Sequence, residues 1–265
     1  MPELEVVCER LGPRLVGRTV TGVTVSRRFG FLLRSPVAAF ESALIGGTVT
    51  ALRRRGKYVL LDVGAEAHLV VNPMLGGRLR VAPAGERATD STLIRVGVGD
   101  EELRLTDSAR MARVYLADGE AGLAAVPGLP ELGPEAADID LEEWRRRIRR
   151  HPGELKNLLR NQEFVAGVGN AYSDEILFAA RVLPLRRRST LSPAEVEELW
   201  EATGTTLREA VSAIRAQPAW AAEKQDRSFM RVHLRGGSTC VRCGHSIGEI
   251  TARGEVTNFC RGCQH

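Results

Sequence analysis

Four of the five cysteines crowd into the end of the chain, as Cys240, Cys243, Cys260 and Cys263 in the spacing C-x2-C-x16-C-x2-C. Two cysteines separated by two residues can aim both sulfurs at one point, and two such pairs supply the four corners of a tetrahedral metal site. Two disulfides are the other use of four cysteines. Pairs this close in sequence make poor staples, and the opening Met1-Pro2-Glu3 has neither the basic nor the apolar stretch of a secretion signal. The expectation is therefore one structural zinc ion in a cytoplasmic protein. Four thiolates leave no position open for water, so the metal's role is structural. A tail this poor in apolar residues is expected to fold as a separate unit with its metal.

The whole chain of 265 residues allows two cores, and no run of apolar residues is long enough for a membrane helix. Pro2 to about Val16 has helical spacing, with Leu4, Val7, Cys8, Leu11 and Leu15 near one face and Gly17 ending it. From Arg18 to about Leu116 the pattern is one of short β-runs: Thr19 to Val25, Tyr58 to Val63, Leu69 to Asn72, Leu93 to Val98 and Leu103 to Leu105. Residues from about Asp118 to Ala137 are rich in Gly and Pro and read as a linker. Beyond Ile139 the spacing is helical over Leu141–Arg149, Pro152–Asn161, Ala171–Ala180 and Ser192 to about Arg215. The last helix opens on a capping box, Ser192 with Glu195. The fold class is α+β. Residues 1–117 are expected to form a β-sandwich or barrel-like domain with flanking helices, 118–138 a linker, 139–225 a helical domain and 226–265 a metal-binding β-hairpin.

Lys and Arg number 37 against 33 Asp and Glu, a net +4, with arginine far in excess of lysine. That suits a polyanion partner and equally a solvated basic surface. The run Gln162-Glu163-Phe164-Val165-Ala166-Gly167-Val168-Gly169-Asn170-Ala171-Tyr172 sharpens the first reading. Its glycines permit tight turns, and Asn170 is a suitable cap for a helix from Ala171. A helix N-terminus on a glycine turn presents free N–H groups to a phosphate.

Taken together these motifs resemble the formamidopyrimidine-DNA glycosylase/endonuclease VIII family. The run from Gln162 to Leu177 looks like its helix–two-turn–helix signature. Val232-His233-Leu234-Arg235 leads into the cysteines, and Cys263-Gln264 follows, as in its zinc hairpin. Met1-Pro2-Glu3-Leu4, Arg55-Gly56-Lys57-Tyr58, Asp107-Ser108-Ala109-Arg110-Met111 and Leu132-Gly133-Pro134-Glu135 match other family motifs in the family's order.

The resemblance implies a monomeric repair enzyme acting on damaged DNA, a bifunctional glycosylase and abasic-site (β/δ) lyase. Pro2, freed by removal of Met1, would be the nucleophile, with Glu3 moving a proton to the opening sugar. Lys57 would share the pocket; without the resemblance it reads as an exposed lysine before a strand. Lys156 and Asn170 match phosphate contacts. Arg110 and Met111, with Met in place of the usual Phe, match one loop that fills the gap left by a flipped nucleotide. Met74 or Leu75, in Asn72-Pro73-Met74-Leu75-Gly76-Gly77, matches the other, or forms a buried apolar turn.

Four departures set this chain apart from the family's pattern. Ala109 stands where the family has an Arg. The Gly-Gly-Thr-Thr stretch that precedes the family's 8-oxoguanine loop is not found between Arg215 and Val232, which points away from 8-oxoguanine as the main substrate. Glu255 occupies the position, five residues before the third cysteine, of an Arg that meets phosphates; either Arg253 or Arg261 takes its place, or the hairpin tip sits back from DNA. The opening is also shorter than the family's, so its next carboxylate is Glu5 or is missing. A catalytically weak relative that binds abasic or distorted DNA is the alternative function.

Overall fold

The first helix follows its apolar spacing. α1 runs Pro2–Leu15, with Cys8 and Leu15 buried and Leu4, Val7 and Leu11 packed against the same core. Gly17, at φ +83°, turns the chain out of it in a conformation that glycine adopts without strain. The structure is a computed structural model and describes residues 1–218, 226–252 and 254–265. One compact unit is built on Glu3–Pro130. The other combines Met1–Pro2, Glu131–Gln217 and Asp226–His265.

In the first unit the elements after α1 are β1 (Gly22–Val25), α2 (Val37–Leu44), β2 (Val49–Arg55), β3 (Tyr58–Val63), β4 (Ala67–Asn72), β5 (Gly77–Pro83), β6 (Thr92–Val98), β7 (Glu101–Asp107), β8 (Arg113–Asp118) and α3 (Gly119–Ala124). They make two four-stranded antiparallel sheets, in the orders β1-β6-β7-β5 and β2-β3-β4-β8. Leu61, Leu69 and Val71 of one sheet and Val96, Leu103 and Leu105 of the other line one apolar interior, so the expected sandwich is present. Every residue of β3 is buried, as suits a strand covered on both faces.

Two stretches depart from expectation. The β-run region contains α2, which starts after Pro36 and buries Phe40 and Leu44, one helical turn apart. The expected linker begins with the end of β8 and then α3. It also pairs with the second unit's own chain: Gly133 N–H donates to Gln162 O (2.8 Å) and Ala166 N–H to Pro134 O (2.8 Å). A β-carbon at Gly133 would collide with the Glu163 and Phe164 carbonyls.

The second unit holds α4 (Leu141–Ile148), α5 (Leu155–Arg160), α6 (Asn170–Ala179), α7 (Pro193–Ala216) and the hairpin β9 (Gly248–Ala252) and β10 (Glu255–Phe259). Trp144, Leu159, Phe164, Ile176, Leu177, Leu199 and Leu207 make its core. The cysteine tail belongs to this unit rather than standing apart, because β10 packs on α6 and the tail's backbone is bonded to side chains of that helix. None of the described helices is long and apolar enough to cross a membrane.

The capping box of α7 is complete: Glu195 N–H donates to Ser192 Oγ (3.3 Å) and Ser192 N–H to Glu195 Oε2 (2.8 Å). The Arg186 guanidinium, 2.5 Å away, and the Ser192 N–H hold the Glu195 carboxyl down at about 2. A carboxyl lowered in the folded state stabilises above its unfolded value near ~4.3, and the benefit is lost as pH falls toward 2. Glu195→Ala should therefore cost about 1 kcal/mol at pH 7. In urea titrations the gap between wild type and variant should narrow below about pH 4 and close only as pH approaches 2.

Candidate functional site

The four cysteine sulfurs lie within 4.8 Å of one another. Cys243 and Cys260 Sγ are 3.4 Å apart, and Cys240 and Cys263 Sγ 3.8 Å. A tetrahedral ion with metal–sulfur bonds of about 2.3 Å sets its sulfurs about 3.8 Å apart. A disulfide requires about 2.05 Å, and all four cysteines are free. The donor set therefore fits a metal ion. Cys8 takes no part: it is buried in the sandwich core, and burial pushes its thiol up to about 12. Gln264 anchors the cluster, accepting from Cys260 N–H (2.7 Å) and donating to Val182 O (2.8 Å). Arg242 stacks on Phe178 of α6 at 4.1 Å and donates to its carbonyl (2.8 Å).

A buried polar network ties this tail to the helices. Asp174 of α6, fully buried, accepts from Lys156 Nζ (2.6 Å), from His233 Nδ1 (2.9 Å) and from Asn258 N–H (3.3 Å). Its neighbour Glu175 accepts from the N–H groups of Arg231 (2.9 Å), Val232 (2.8 Å) and His233 (2.8 Å). Lys156 Nζ also donates to Thr257 Oγ1 (2.7 Å) and Val256 O (3.3 Å). An ammonium has three N–H donors, and all three are engaged. Burial lowers the Lys156 amine from its usual range, and Asp174 opposes that shift. Asn170 is the first residue of α6 rather than its cap, which is Gly169; its Nδ2 donates to Val256 O (2.9 Å). At the start of β10 Glu255 pairs with Arg160, from the last turn of α5.

In the first unit, Glu3 is buried in the first turn of α1. Glu5, two residues on, pairs with Arg54 of β2, which also donates to Gly56 O (3.1 Å). The only residues between β2 and β3 are Gly56, at φ +56°, and half-buried Lys57. Tyr58 follows, its hydroxyl donating to Pro127 O (2.7 Å). In the second unit Met1 lies against Gly167. A β-carbon there would collide with its side chain, and φ of +95° restricts the position to glycine independently.

Two loops of the first unit meet. Asp107, 1% exposed, accepts from the N–H groups of Ala109 (3.0 Å), Met111 (2.7 Å) and Ala112 (2.7 Å), which shapes the loop before β8. A β-carbon at Gly76 would collide with Asp107 Oδ1 and Ala109 Cβ, so the turn before β5 packs directly on it. Met74, Leu75 and Met111 are 43%, 75% and 41% exposed, so the turn is not a buried apolar one. Arg110, at φ +57°, lies over the Phe29 ring at 5.6 Å.

The sequence model of the formamidopyrimidine-DNA glycosylase N-terminal domain matches residues 1–114, and that of the formamidopyrimidine-DNA glycosylase H2TH domain matches residues 132–217. The formamidopyrimidine-DNA glycosylase of Carboxydothermus hydrogenoformans is 30% identical over 280 residues, covering 100% of this chain and 98% of the relative. That of Shewanella loihica is 32% identical, with 100% and 98% covered. The chain belongs to the formamidopyrimidine-DNA glycosylase family. The fold agrees: the Lactococcus lactis Fpg, solved in complex with DNA containing an abasic site, superimposes with a TM-score of 0.90 at 25% identity, covering 100% of this chain and 98% of that one.

Against the family's motifs, the structure brings Lys156 and Asn170 together on Val256 and joins the Met74–Leu75 turn to the Arg110–Met111 loop. Arg253 lies outside the described residues. Asp174, Glu175, His233, Asn258 and Gln264 carry the connection between α6 and the hairpin, and Arg160 meets Glu255; of these, sequence reasoning singled out only Glu255, and without this partner. The Asp174-Glu175 pair lies inside the helix–two-turn–helix run. Two adjacent acids on a helix otherwise made of apolar and small residues were the available signal.

Proposed function

We propose that this chain excises a damaged base from DNA and then cleaves the strand at the resulting abasic site, with Pro2 as the nucleophile. The observation that carries the reading is full-length membership of the family in a chain whose second residue is proline. Once Met1 is removed, Pro2 has a secondary amine that titrates near ~8 and is in part neutral at pH 7. Its lone pair attacks C1′ of the damaged nucleotide. The glycosidic bond breaks with its electron pair going to the base, which takes up a proton. The amine then loses its own proton, the C1′–O4′ bond opens, and an iminium joins Pro2 to the sugar. Glu3 delivers the proton that O4′ requires. The iminium acidifies C2′, and loss of that proton expels the 3′-phosphate by β-elimination; repetition at the 5′ side is δ-elimination.

Lys57, beside the positive-φ Gly56, contacts the lesion's phosphate or protonates the leaving base. A flipped nucleotide leaves a gap in the duplex, and the exposed Met74, Leu75 and Met111 suit an apolar wedge between bases. Asn170, at the start of α6, suits a phosphate through the helix N-terminus. The four cysteines hold one zinc ion, which when bound braces the hairpin. Borohydride reduction during incubation with abasic DNA tests the reading. Wild type should form a covalent protein–DNA adduct through Pro2, and Pro2→Gly should lose most of it. Equal trapping by the variant would move the nucleophile elsewhere, with Lys57 the next candidate.

A further inference from the structure

Among the described residues, the cations available to a DNA phosphate at the start of β10 can be counted. Lys156 is not one of them: its ammonium is buried, and its three donors go to Asp174, Thr257 and Val256. The Asn170 amide is likewise tied to Val256 O. Both side chains fix β10 rather than face outward. One turn beyond Lys156, on the same helix, stands Arg160. Its side chain is 28% exposed, and among the described residues its one side-chain hydrogen bond runs from Nη2 to Glu255 Oε1. A guanidinium carries five N–H donors in a rigid fork, so the rest of that fork is unengaged among the described residues. Glu255 is 46% exposed and at the turn end of the hairpin, where it is the first residue of β10 and pairs with Ala252.

We infer that Arg160 supplies the phosphate-binding cation at this place, with Glu255 as the residue that positions it. This rests on the DNA reading above. A bare carboxylate at the hairpin's turn end would repel the backbone. Paired with Arg160, it instead holds the guanidinium over the start of β10 through one nitrogen and leaves the others for a phosphate oxygen. The cation has moved from the hairpin to α5, and the hairpin supplies its counter-charge. The sequence could not disclose this, since the partners are 95 residues apart.

The test compares E255Q with the double variant R160Q/E255Q, because neither leaves an unpaired carboxylate that could repel DNA by itself. Affinity for a duplex with an abasic-site analogue is measured across a salt series. The double variant should bind roughly tenfold more weakly than E255Q. Its slope of log affinity against log salt should be shallower by about 0.9, one phosphate contact. R160K/E255Q, which keeps a cation, should keep the slope. Zinc content and melting temperature check that the hairpin is intact. Equal affinity and slope for E255Q and R160Q/E255Q would overturn the inference and leave Arg160 as a neutraliser of Glu255 only. A wild type that does not distinguish the abasic duplex from an intact one would sink the repair reading instead. The same slope comparison on intact duplex would still decide the part played by Arg160.

Discussion

Asp174→Ala should destabilise the helical unit by about 3–5 kcal/mol, the usual cost of breaking a buried ion pair from one side. Asp174 is 0% exposed and is the only carboxylate bonded to Lys156 Nζ among the described residues. Its removal leaves an ammonium in the interior and strands the His233 ring and the Asn258 N–H as well. The effect should depend on pH with a defined sign. Burial already lowers the Lys156 amine, and Asp174 is its largest opposing influence; without it the folded-state value falls further below the unfolded ~10.4. The unfolded chain then binds more protons than the folded one across that interval, so the variant's stability rises with pH. Urea unfolding of Asp174→Ala at pH 7 and pH 9 should show a higher midpoint at pH 9, measured against wild type at each pH. Lys156→Met in the same background should recover part of the loss by removing the stranded charge. No recovery, together with a flat pH dependence, would mean that the network is held by Glu175 and Asn258 alone.

That network also marks where sequence reasoning stops. Elements whose signal is local were legible. β3 occupies the residues read from its β-branched and apolar run, α7 begins at its capping box, and the cysteine spacing gave the cluster. α2 was hidden because its eight residues bury only Phe40 and Leu44, too short a pattern to stand out among β-runs. α3 was hidden by the glycines around it. The roles of Asp174 and Glu175 could not be read because their partners, at 231–233 and 258, are distant in sequence. The same separation turned Lys156 from an expected phosphate contact into a buried tie. A lysine's burial is a property of what folds over it, and here that is β10, a hundred residues on.

Removal of the metal should reach further than the hairpin. Structural zinc contributes on the order of 10–16 kcal/mol in small zinc-dependent folds, as large as the roughly 5–15 kcal/mol that holds a whole domain. The apolar cluster beside the cysteines is small: Phe178, Val232 and Ile247 with Cys240 and Cys260. Without the ion, nothing there offsets four thiols drawn together. Were the tail a separate unit, the damage would end near Arg227. The structure argues otherwise, because Gln264 bonds to Val182, His265 N–H to Arg181 O, and Glu175 to three N–H groups of the tail. Melting the tail takes from Glu175 the three N–H groups it holds and leaves Asp174 with Lys156 alone, so α6 should loosen with it. The β-sandwich has its own core and should hold. Cys260→Ser, or chelation of the wild type, should therefore abolish amide protection in β9 and β10 and reduce it in α6. Amides of β3 and β7 should exchange as before. DNA binding should fall with the loss of α6. Metal analysis should return one zinc per chain. Full protection of α6 in a zinc-free protein would show that the polar network alone suffices to hold the hairpin on the helices.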